Sequence, residues 1–401
     1  MTTLRGYAAV TGAYWAFMLT DGALRMLVLL QFHRLGFSPV QLAWLFLLYE
    51  IAGIVTNLYG GWLAARFGLA STLIGGLALQ IVALIALTRL DPGWSVAVSV
   101  AFVMAVQGAS GVAKDLAKTA SKSAVKLLLP KGESGRLYTW VAALTGSKNA
   151  VKGLGFFLGA ALLGGIGFVP ALWVMAAGLA LVLAAVVAFL PGGLSLRDKG
   201  AKFAHVFARD ARVNALSLAR LFLFAARDVW FVVALPIWLA TALARDMETG
   251  RAFFVTGGFM ALWIVFYGGV QALAPRLGAG SARRARGWAL GLALGTGGLA
   301  LLHLSMPGAT WPVLAGLMVF GAVFAVNSAL HSFLILDYAG EGRVTMDVGF
   351  YYMANAGGRL LGTLLSGVAY QLGGLGLALG ASAVLALVSA LALGGLARGH
   401  G

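Results

Sequence analysis

Nine ionisable side chains interrupt long apolar runs of the sequence, and their types favour one kind of ligand. The basic ones are Arg25, Lys148, Lys152, Arg220, Arg227 and Arg359, and the acidic ones are Asp21, Glu50 and Asp228. A charged group inside a bilayer costs about 2.5–3.5 kcal/mol on insertion scales, so it persists beside a wet cavity or a partner. The excess of basic groups predicts an anion site, because a site for cations would carry surplus carboxylates.

The amino-acid composition indicates the environment in which these charged side chains lie. Of the 401 residues, 61% are hydrophobic and 10% are charged, and the mean hydropathy is +0.92. Soluble domains are about 45–50% apolar and about 25% charged. The chain therefore requires a lipid bilayer, which excludes a soluble enzyme, a disordered chain and a disulfide scaffold. With no cysteine, no phosphate-binding Gly-Lys-Ser/Thr loop and no metal-ligand spacing of histidines, we expect no enzymatic activity, no cofactor and no metal.

Twelve apolar segments are long enough to cross a bilayer as helices, which takes about 20 residues each. The predicted spans are 7–31, 39–64, 69–89, 94–114, 137–161, 168–190, 213–240, 252–274, 287–305, 311–334, 345–369 and 373–396. Turn residues separate several of them, including Gly36-Phe37-Ser38-Pro39 and Asp91-Pro92-Gly93. We expect the first span to be retained, because no small-residue cleavage pattern follows it.

Basic residues predict the orientation and the division of the chain. Lys and Arg concentrate in the loops on the side that holds both termini, which predicts cytoplasmic termini in a plasma membrane, the bacterial inner membrane. This placement explains the net charge of +16 without a nucleic-acid partner, since the basic residues are scattered among apolar spans. The predicted division is a six-helix half at 1–190, a basic cytoplasmic linker at 191–212 and a second six-helix half at 213–401.

Two halves of six spans joined by a basic loop resemble the major facilitator superfamily. The family's loop between spans two and three reads G-x-L-A-D-R-x-G-R-R, and the segment Gly61–Ala70 is similar to it. Ala65 replaces the Asp and the last basic pair is missing, so the whole-chain topology carries the resemblance. It implies an all-α polytopic membrane protein with two parallel halves and a substrate site near the midplane.

Within that resemblance, Arg25 and Arg227 lie in the equivalent spans one and seven, where organophosphate exchangers of the superfamily use an Arg from each to hold phosphate. The planar guanidinium matches tetrahedral oxyanions with two parallel hydrogen bonds. Asp21 is one helical turn before Arg25, so the two could simply neutralise each other. Asp228 points about 100° away from Arg227 and need not be its partner. Arg220 is expected to snorkel toward the cytoplasm.

Spans five and eleven contain similar basic, glycine-rich segments. Lys148 and Lys152 are four residues apart and share a helix face. Matching Gly155 with Gly362 places Lys152 and Arg359 at equivalent positions, although a chance echo of two glycine-rich helices is the alternative. All three bases are candidate substrate ligands.

A further basic stripe follows span four. Lys114, Lys118, Lys122 and Lys126 are spaced by four. Lys114 and Lys118 are candidates for an anion-attracting cytoplasmic mouth, whereas Lys122 and Lys126 are expected to contact anionic lipid headgroups. Other candidate polar residues of the cavity are Gln107, Asn327, His331 and Tyr351.

A closer resemblance, strongest over 7–160, is to the organoarsenical efflux permease family (ArsJ). The similar segments are Tyr14–Leu30, Gly36–Ala43, Ala113–Leu116, Ser121–Lys126 and Leu144–Gly153, and more loosely Asn355–Gly362. The resemblance implies export of arseno-phosphoglycerate (1-arseno-3-phosphoglycerate), which a glyceraldehyde-3-phosphate dehydrogenase makes from arsenate. That enzyme is thus a functional partner, and arsenate resistance is the expected phenotype.

Several alternatives stay open at this point. The same excess of cations suits another phosphorylated or organic anion, and a non-transporting membrane scaffold would have no need of buried cations. Asp21, Glu50 and Asp228 are candidates for proton coupling or for charge pairing with the bases. Efflux down the substrate's own gradient would need neither. We expect a monomer.

Overall fold

The computed structural model describes residues 2–128, 134–189, 210–274, 281–308, 310–338 and 344–398. Its elements are the α-helices α1 Thr2–Arg34, α2 Pro39–Leu45, α3 Leu47–Phe67, α4 Leu69–Leu87, α5 Val96–Leu128, α6 Ser134–Ile166, α7 Phe168–Phe189, α8 Ala211–Phe231, α9 Ala234–Leu243, α10 Thr249–Leu273, α11 Ala282–Ser305, α12 Thr310–Tyr338, α13 Val344–Ala392 and α14 Gly394–Arg398. The predicted all-α fold is confirmed.

The helices reproduce the predicted spans. Within the described ranges, eleven helical segments are long and apolar enough to cross a membrane. The last of them, Asp347–Leu396, is 50 residues long. Its backbone leaves the helical conformation at Gly373 and Gly374, where Gly374 has a φ of 62°. Counted on either side of this break, it contains spans eleven and twelve, which gives the predicted total.

Local turn chemistry explains two of the boundaries. Gly36 adopts a φ of 84° after α1, a conformation that glycine reaches without steric cost. Ser38 then caps α2: its side chain accepts from the Gln41 backbone amide at 3.3 Å, while its own amide donates to the Gln41 side chain at 2.8 Å. At the next loop, the Gly93 amide donates to the Asp91 carboxylate at 2.8 Å.

The predicted span seven consists of two helices. Pro236 lacks an amide hydrogen and its ring clashes with the preceding turn, so α8 ends at Phe231 and α9 begins at Ala234. The side chain of Ser366 in α13 accepts hydrogen bonds from the amides of Val233 and Ala234, at 3.2 and 3.1 Å. The interrupted backbone is thereby satisfied inside the protein, as a membrane interior requires.

The start of α8 is capped by a carboxylate. Asp210 accepts from the Arg212 backbone amide at 2.7 Å and pairs with the Arg212 guanidinium at 3.0 Å. The side-chain hydrogen bond from Arg212 holds the pKa of the Asp210 carboxyl below its usual range. The Asp210 carboxylate therefore stays charged at neutral pH and interacts favourably with the positive, N-terminal end of the helix dipole.

The chain forms two compact units. Unit one comprises Met1–Gln31, Val55–Ala204 and Phe253–Ile264, and unit two comprises Phe32–Ile54, His205–Ala252 and Val265–Gly401. Unit two therefore contains α2 and the first turns of α3, which precede most of unit one in sequence. Most of the predicted linker lies outside the described residues, so the division at 191–212 stays a prediction.

Candidate functional site

In unit one, helices α1 and α6 cross at glycines. A Cβ atom added to Gly155 would collide with the backbone of α1 at the Leu19 carbonyl oxygen and would lie 3.1 Å from the Ala23 nitrogen. Gly159 meets the Ala23 carbonyl in the same way. Close approach of two backbones at small residues is typical of packed membrane helices. The crossing brings the side chains of the predicted α6 bases against α1.

An ion pair joins the two helices at this crossing. Lys152 donates to the Asp21 carboxylate at 2.7 Å, and the Asp21 side chain is 1% exposed. Arg25 is buried one turn further along α1, and Lys148 is half-buried one turn before Lys152. The crossing thus brings three predicted bases and one predicted acid to neighbouring turns of α1 and α6.

The lysine stripe of α5 is organised by an acid that our sequence analysis did not select. Asp115 is 1% exposed and accepts from Lys118 at 2.6 Å and from the Thr56 hydroxyl at 2.6 Å, and Lys114 lies 3.8 Å from it. Lys118 also donates to Asn57 at 2.7 Å. The i,i+3 spacing of Asp115 and Lys118 was the signal that could have revealed this pair. The side chains of Lys122 and Lys126 lie outside the described residues.

In unit two, α8 and α13 cross at two further glycines. A Cβ atom on Gly362 would lie 2.7 Å from the Asp228 Cβ and 2.8 Å from the Ala225 carbonyl oxygen. A Cβ atom on Gly358 would likewise collide with the Leu221 carbonyl oxygen. These contacts are the unit-two counterpart of the α1–α6 crossing, so the similarity of spans five and eleven extends to how they pack.

Four charged residues form a chain at the α8–α13 crossing. Arg359 donates to Glu50 of α3 at 2.8 Å, and its Nε lies 3.7 Å from Asp228. Asp228 in turn accepts from the Nε of Arg227 at 2.5 Å. Both carboxylates are 1% exposed, whereas the Arg359 and Arg227 side chains are 21% and 16% exposed. Asp228 is therefore a partner of Arg227 despite the 100° between them, because the long arginine side chain folds back along the helix.

The expectation that Arg220 snorkels is wrong. Its side chain is buried, and its Nε donates to Asn355 at 2.9 Å. Its Nη1 donates to the backbone oxygen and the hydroxyl of Ser328, both at 3.0 Å. Acceptors on α12 and α13 hold the guanidinium inside the protein, and a single sequence position gives no sign of them. The expected polar residues Gln107, Asn327, His331 and Tyr351 are all buried as well.

The predicted site residues thus fall into two clusters, one in each unit. Unit one holds Asp21, Arg25, Lys148 and Lys152, with Lys114 and Lys118 at Asp115. Unit two holds Glu50, Arg227, Asp228 and Arg359, to which the structure adds Arg220. Both clusters are mostly desolvated and contain more bases than acids, an arrangement suited to binding oxyanions.

Comparison with known proteins defines the family. The sequence model of the family described as "Major Facilitator Superfamily" matches residues 10–363. No curated protein sequence matches the chain. Similar solved structures include a POT family transporter in complex with 5-aminolevulinic acid, with 15% identity and a TM-score of 0.72, covering 96% of this chain and 95% of that one. A D-xylose-proton symporter has 14% identity and a TM-score of 0.72, covering 98% and 97%. The chain belongs to the Major Facilitator Superfamily and is a multi-pass membrane transporter.

Proposed function

We propose that this transporter exports an anionic organoarsenical, arseno-phosphoglycerate, from the cytoplasm by alternating access. The family and fold make it a membrane carrier of a small molecule. The buried cations of both units favour an anionic substrate, and the resemblance to organoarsenical permeases supplies the arsenical. That resemblance also supports a functional link to a glyceraldehyde-3-phosphate dehydrogenase, and the distribution of Lys and Arg supports a place in a bacterial inner membrane with both termini cytoplasmic.

Arg227 is the observation that carries the anion proposal. Its Nε is engaged by Asp228, and its two terminal nitrogens donate to no residue that the structure describes. The side chain lies among the rings of Phe224, Phe231 and Phe324, at 5.1, 5.7 and 5.6 Å from their centroids. A guanidinium fixed at one edge, with two parallel donors left, is a receptor for phosphate or arsenate.

The remaining bases contribute positive charge. Arg25, Lys148 and Lys152 in unit one and Arg359 in unit two are the further proposed ligands, and Lys114 and Lys118 attract anions electrostatically. Each of the three acids bonds a base: Asp21 with Lys152, Glu50 with Arg359 and Asp228 with Arg227. An arriving oxyanion competes with these carboxylates for the bases, which is a route by which substrate binding couples to proton uptake or to rearrangement of the helices.

The second candidate is export or exchange of another phosphorylated or organic anion, since the same donors suit any tetrahedral oxyanion. The two candidates separate in arsenate-sensitive cells that express this chain with and without a glyceraldehyde-3-phosphate dehydrogenase. Resistance that needs both proteins supports the arsenical. Sensitivity in every case, alongside confirmed membrane expression, removes the arsenical and leaves the anion transporter.

Variants in the same cells test the site. We expect Arg227→Gln and Lys152→Gln to lose at least about tenfold in the tolerated arsenate concentration, the loss typical of a charge-assisted hydrogen bond. The matched control is Arg212→Gln, which changes an exposed arginine at the start of the same helix as Arg227. Full resistance of Arg227→Gln at normal expression would overturn the site. Export from vesicles that a protonophore leaves unchanged would remove the proton coupling.

A further inference from the structure

Helix α8 carries two arginines and one aromatic residue on a single face. Arg220, Phe224 and Arg227 occupy positions i, i+4 and i+7, which return to the same side of an α-helix after two turns. Only Arg227 was selected from the sequence as a ligand of the substrate. The geometry of the other two residues gives them a role beyond packing.

Both guanidinium groups lie over the same ring. The central carbon of Arg220 is 4.1 Å from the Phe224 centroid and that of Arg227 is 5.1 Å from it, so the two carbons are at most about 9 Å apart. Phe224 is buried and meets Phe324 edge-on at 5.2 Å, which fixes the plane of the ring. The two cations are therefore held close to one apolar ring, within about 9 Å of each other.

Each arginine is held by hydrogen bonds from some of its nitrogen atoms, and its other nitrogen atoms remain able to donate to a ligand. The Arg220 bonds to Asn355 and Ser328 use its Nε and Nη1, and the Arg227 bond to Asp228 uses its Nε. Within the described part of the chain, no acceptor faces the Nη2 of Arg220 or either terminal nitrogen of Arg227. A residue that only cross-linked helices would not require a second anchored cation over the same ring.

We propose that Arg220 and Arg227 form a two-anchor site that selects ligands with an oxyanion at each end of a short carbon chain, with Phe224 packing against the chain. A three-carbon chain esterified at both ends separates the two tetrahedral centres by roughly 7 Å, within reach of both guanidiniums. This inference rests on the proposed function, whose substrate is a three-carbon compound with two oxyanions, and deepens it: Arg220 becomes the residue that determines specificity for the second oxyanion.

Binding to the purified full-length chain in nanodiscs tests the spacing at constant ionic strength. The probes are propane-1,3-diyl bisphosphate, hexane-1,6-diyl bisphosphate and glycerol 3-phosphate, with calorimetric measurement of Kd. We expect the three-carbon bisphosphate to bind at least about tenfold more tightly than either of the others, because it alone engages both arginines. Equal affinity for the two bisphosphates overturns the two-anchor site without any variant.

The variant Arg220→Gln sharpens the test. It should weaken the three-carbon bisphosphate about tenfold, to the level of glycerol 3-phosphate, and leave glycerol 3-phosphate binding unchanged. Equal weakening of all three probes would mean that Arg220 is only structural. Arg220→Lys keeps the positive charge but loses the planar pair of guanidinium donors, so it should lose most of the preference for the three-carbon bisphosphate while preserving the fold. This variant replaces Arg220→Gln if that protein cannot be purified.

The same probes separate this inference from the proposed function. If the wild-type chain binds glycerol 3-phosphate without any spacer preference, the anion transporter stands and the two-anchor site falls. If it binds none of the three probes, the proposed anionic substrate falls with it. Arg212→Gln is the control variant for both measurements and should bind all three probes like the wild type.

Discussion

At the α1–α6 crossing of unit one, an aspartate and a lysine form a direct ion pair, Asp21 with Lys152 at 2.7 Å. At the α8–α13 crossing of unit two, the equivalent aspartate and arginine are 3.7 Å apart, and each has a closer partner. Asp228 is bonded by Arg227, and Arg359 is bonded to Glu50. The two crossings are thus similar in position and different in connectivity.

One sequence offset relates them. The same 207 residues separate Asp21 from Asp228, Lys152 from Arg359 and Gly155 from Gly362 (228 − 21, 359 − 152 and 362 − 155). In both crossings the glycine lets the two backbones approach, and the acid and base lie next to it. What the two crossings share is steric, since it depends on a missing Cβ. What differs is the distance between the acid and the base, because in unit two Asp228 lies closer to Arg227 and Arg359 lies closer to Glu50 than the two lie to each other.

The largest expected effect tests the shared steric part. Gly155→Ala forces a methyl group into the α1 backbone and should destabilise the protein by about 3 kcal/mol, the upper end of the usual cost of overpacking, because the collision is with backbone atoms. Gly362→Ala should cost a similar amount, because its two nearest atoms, the Asp228 Cβ and the Ala225 carbonyl oxygen, are both fixed by the α8 backbone. Thermal unfolding in detergent measures both.

Matched controls exist in the same two helices. An added Cβ meets nothing within 4 Å at Gly165 in α6 or at Gly380 in α13. Gly165→Ala and Gly380→Ala should leave the unfolding temperature unchanged or raise it slightly, since alanine favours helix. A loss at the controls equal to the loss at the crossings would refute close backbone approach as the shared feature.

An intermediate effect tests the difference in ion pairing. Double-mutant cycles should give a coupling of about 1.5–3 kcal/mol for Asp21 with Lys152 and for Glu50 with Arg359, whose charged hydrogen bonds are short and largely desolvated. The coupling of Asp228 with Arg359, at 3.7 Å, should stay below about 1 kcal/mol. Each cycle uses Asn or Gln for the acid and Met for the base.

The exposed pair of Asp210 and Arg212 serves as the reference for these cycles and should show no measurable coupling. If Asp228 coupled to Arg359 as strongly as Glu50 does, the two crossings would share their charges as well as their glycines. The two crossings would then no longer differ in how their charged residues are connected.

The last comparison concerns two asparagines that accept from bases, and the loss at Asn57 is the smallest expected effect. Asn57 accepts from Lys118, which is 25% exposed and keeps Asp115, so Asn57→Ala should cost about 0.5–1 kcal/mol. Asn355 accepts from the Nε of buried Arg220, and Asn355→Ala should cost about 1–3 kcal/mol because water cannot replace the lost acceptor. Equal losses in unfolding free energy would show that burial does not distinguish the two sites.

The sequence by itself determined the elements and most of the charged residues. Hydropathy and turn chemistry act over a few neighbouring residues, so the spans and the break at Gly36–Pro39 could be predicted. A base within an apolar run is equally visible, which is why Arg25, Arg227 and Lys152 were selected. The similarity of spans five and eleven could also be recognised in the sequence, because it depends on glycine spacing.

Only the tertiary structure decided the partners. Glu50 and Arg359 are 309 residues apart, and no local pattern specifies such a contact. Arg220 was misjudged for the same reason, since its acceptors come from α12 and α13. Asp115 escaped selection among four lysines, although burial makes it the acceptor that organises two of them. An ion pair depends on which helices cross and at what rotation, and that is settled by packing of the whole chain.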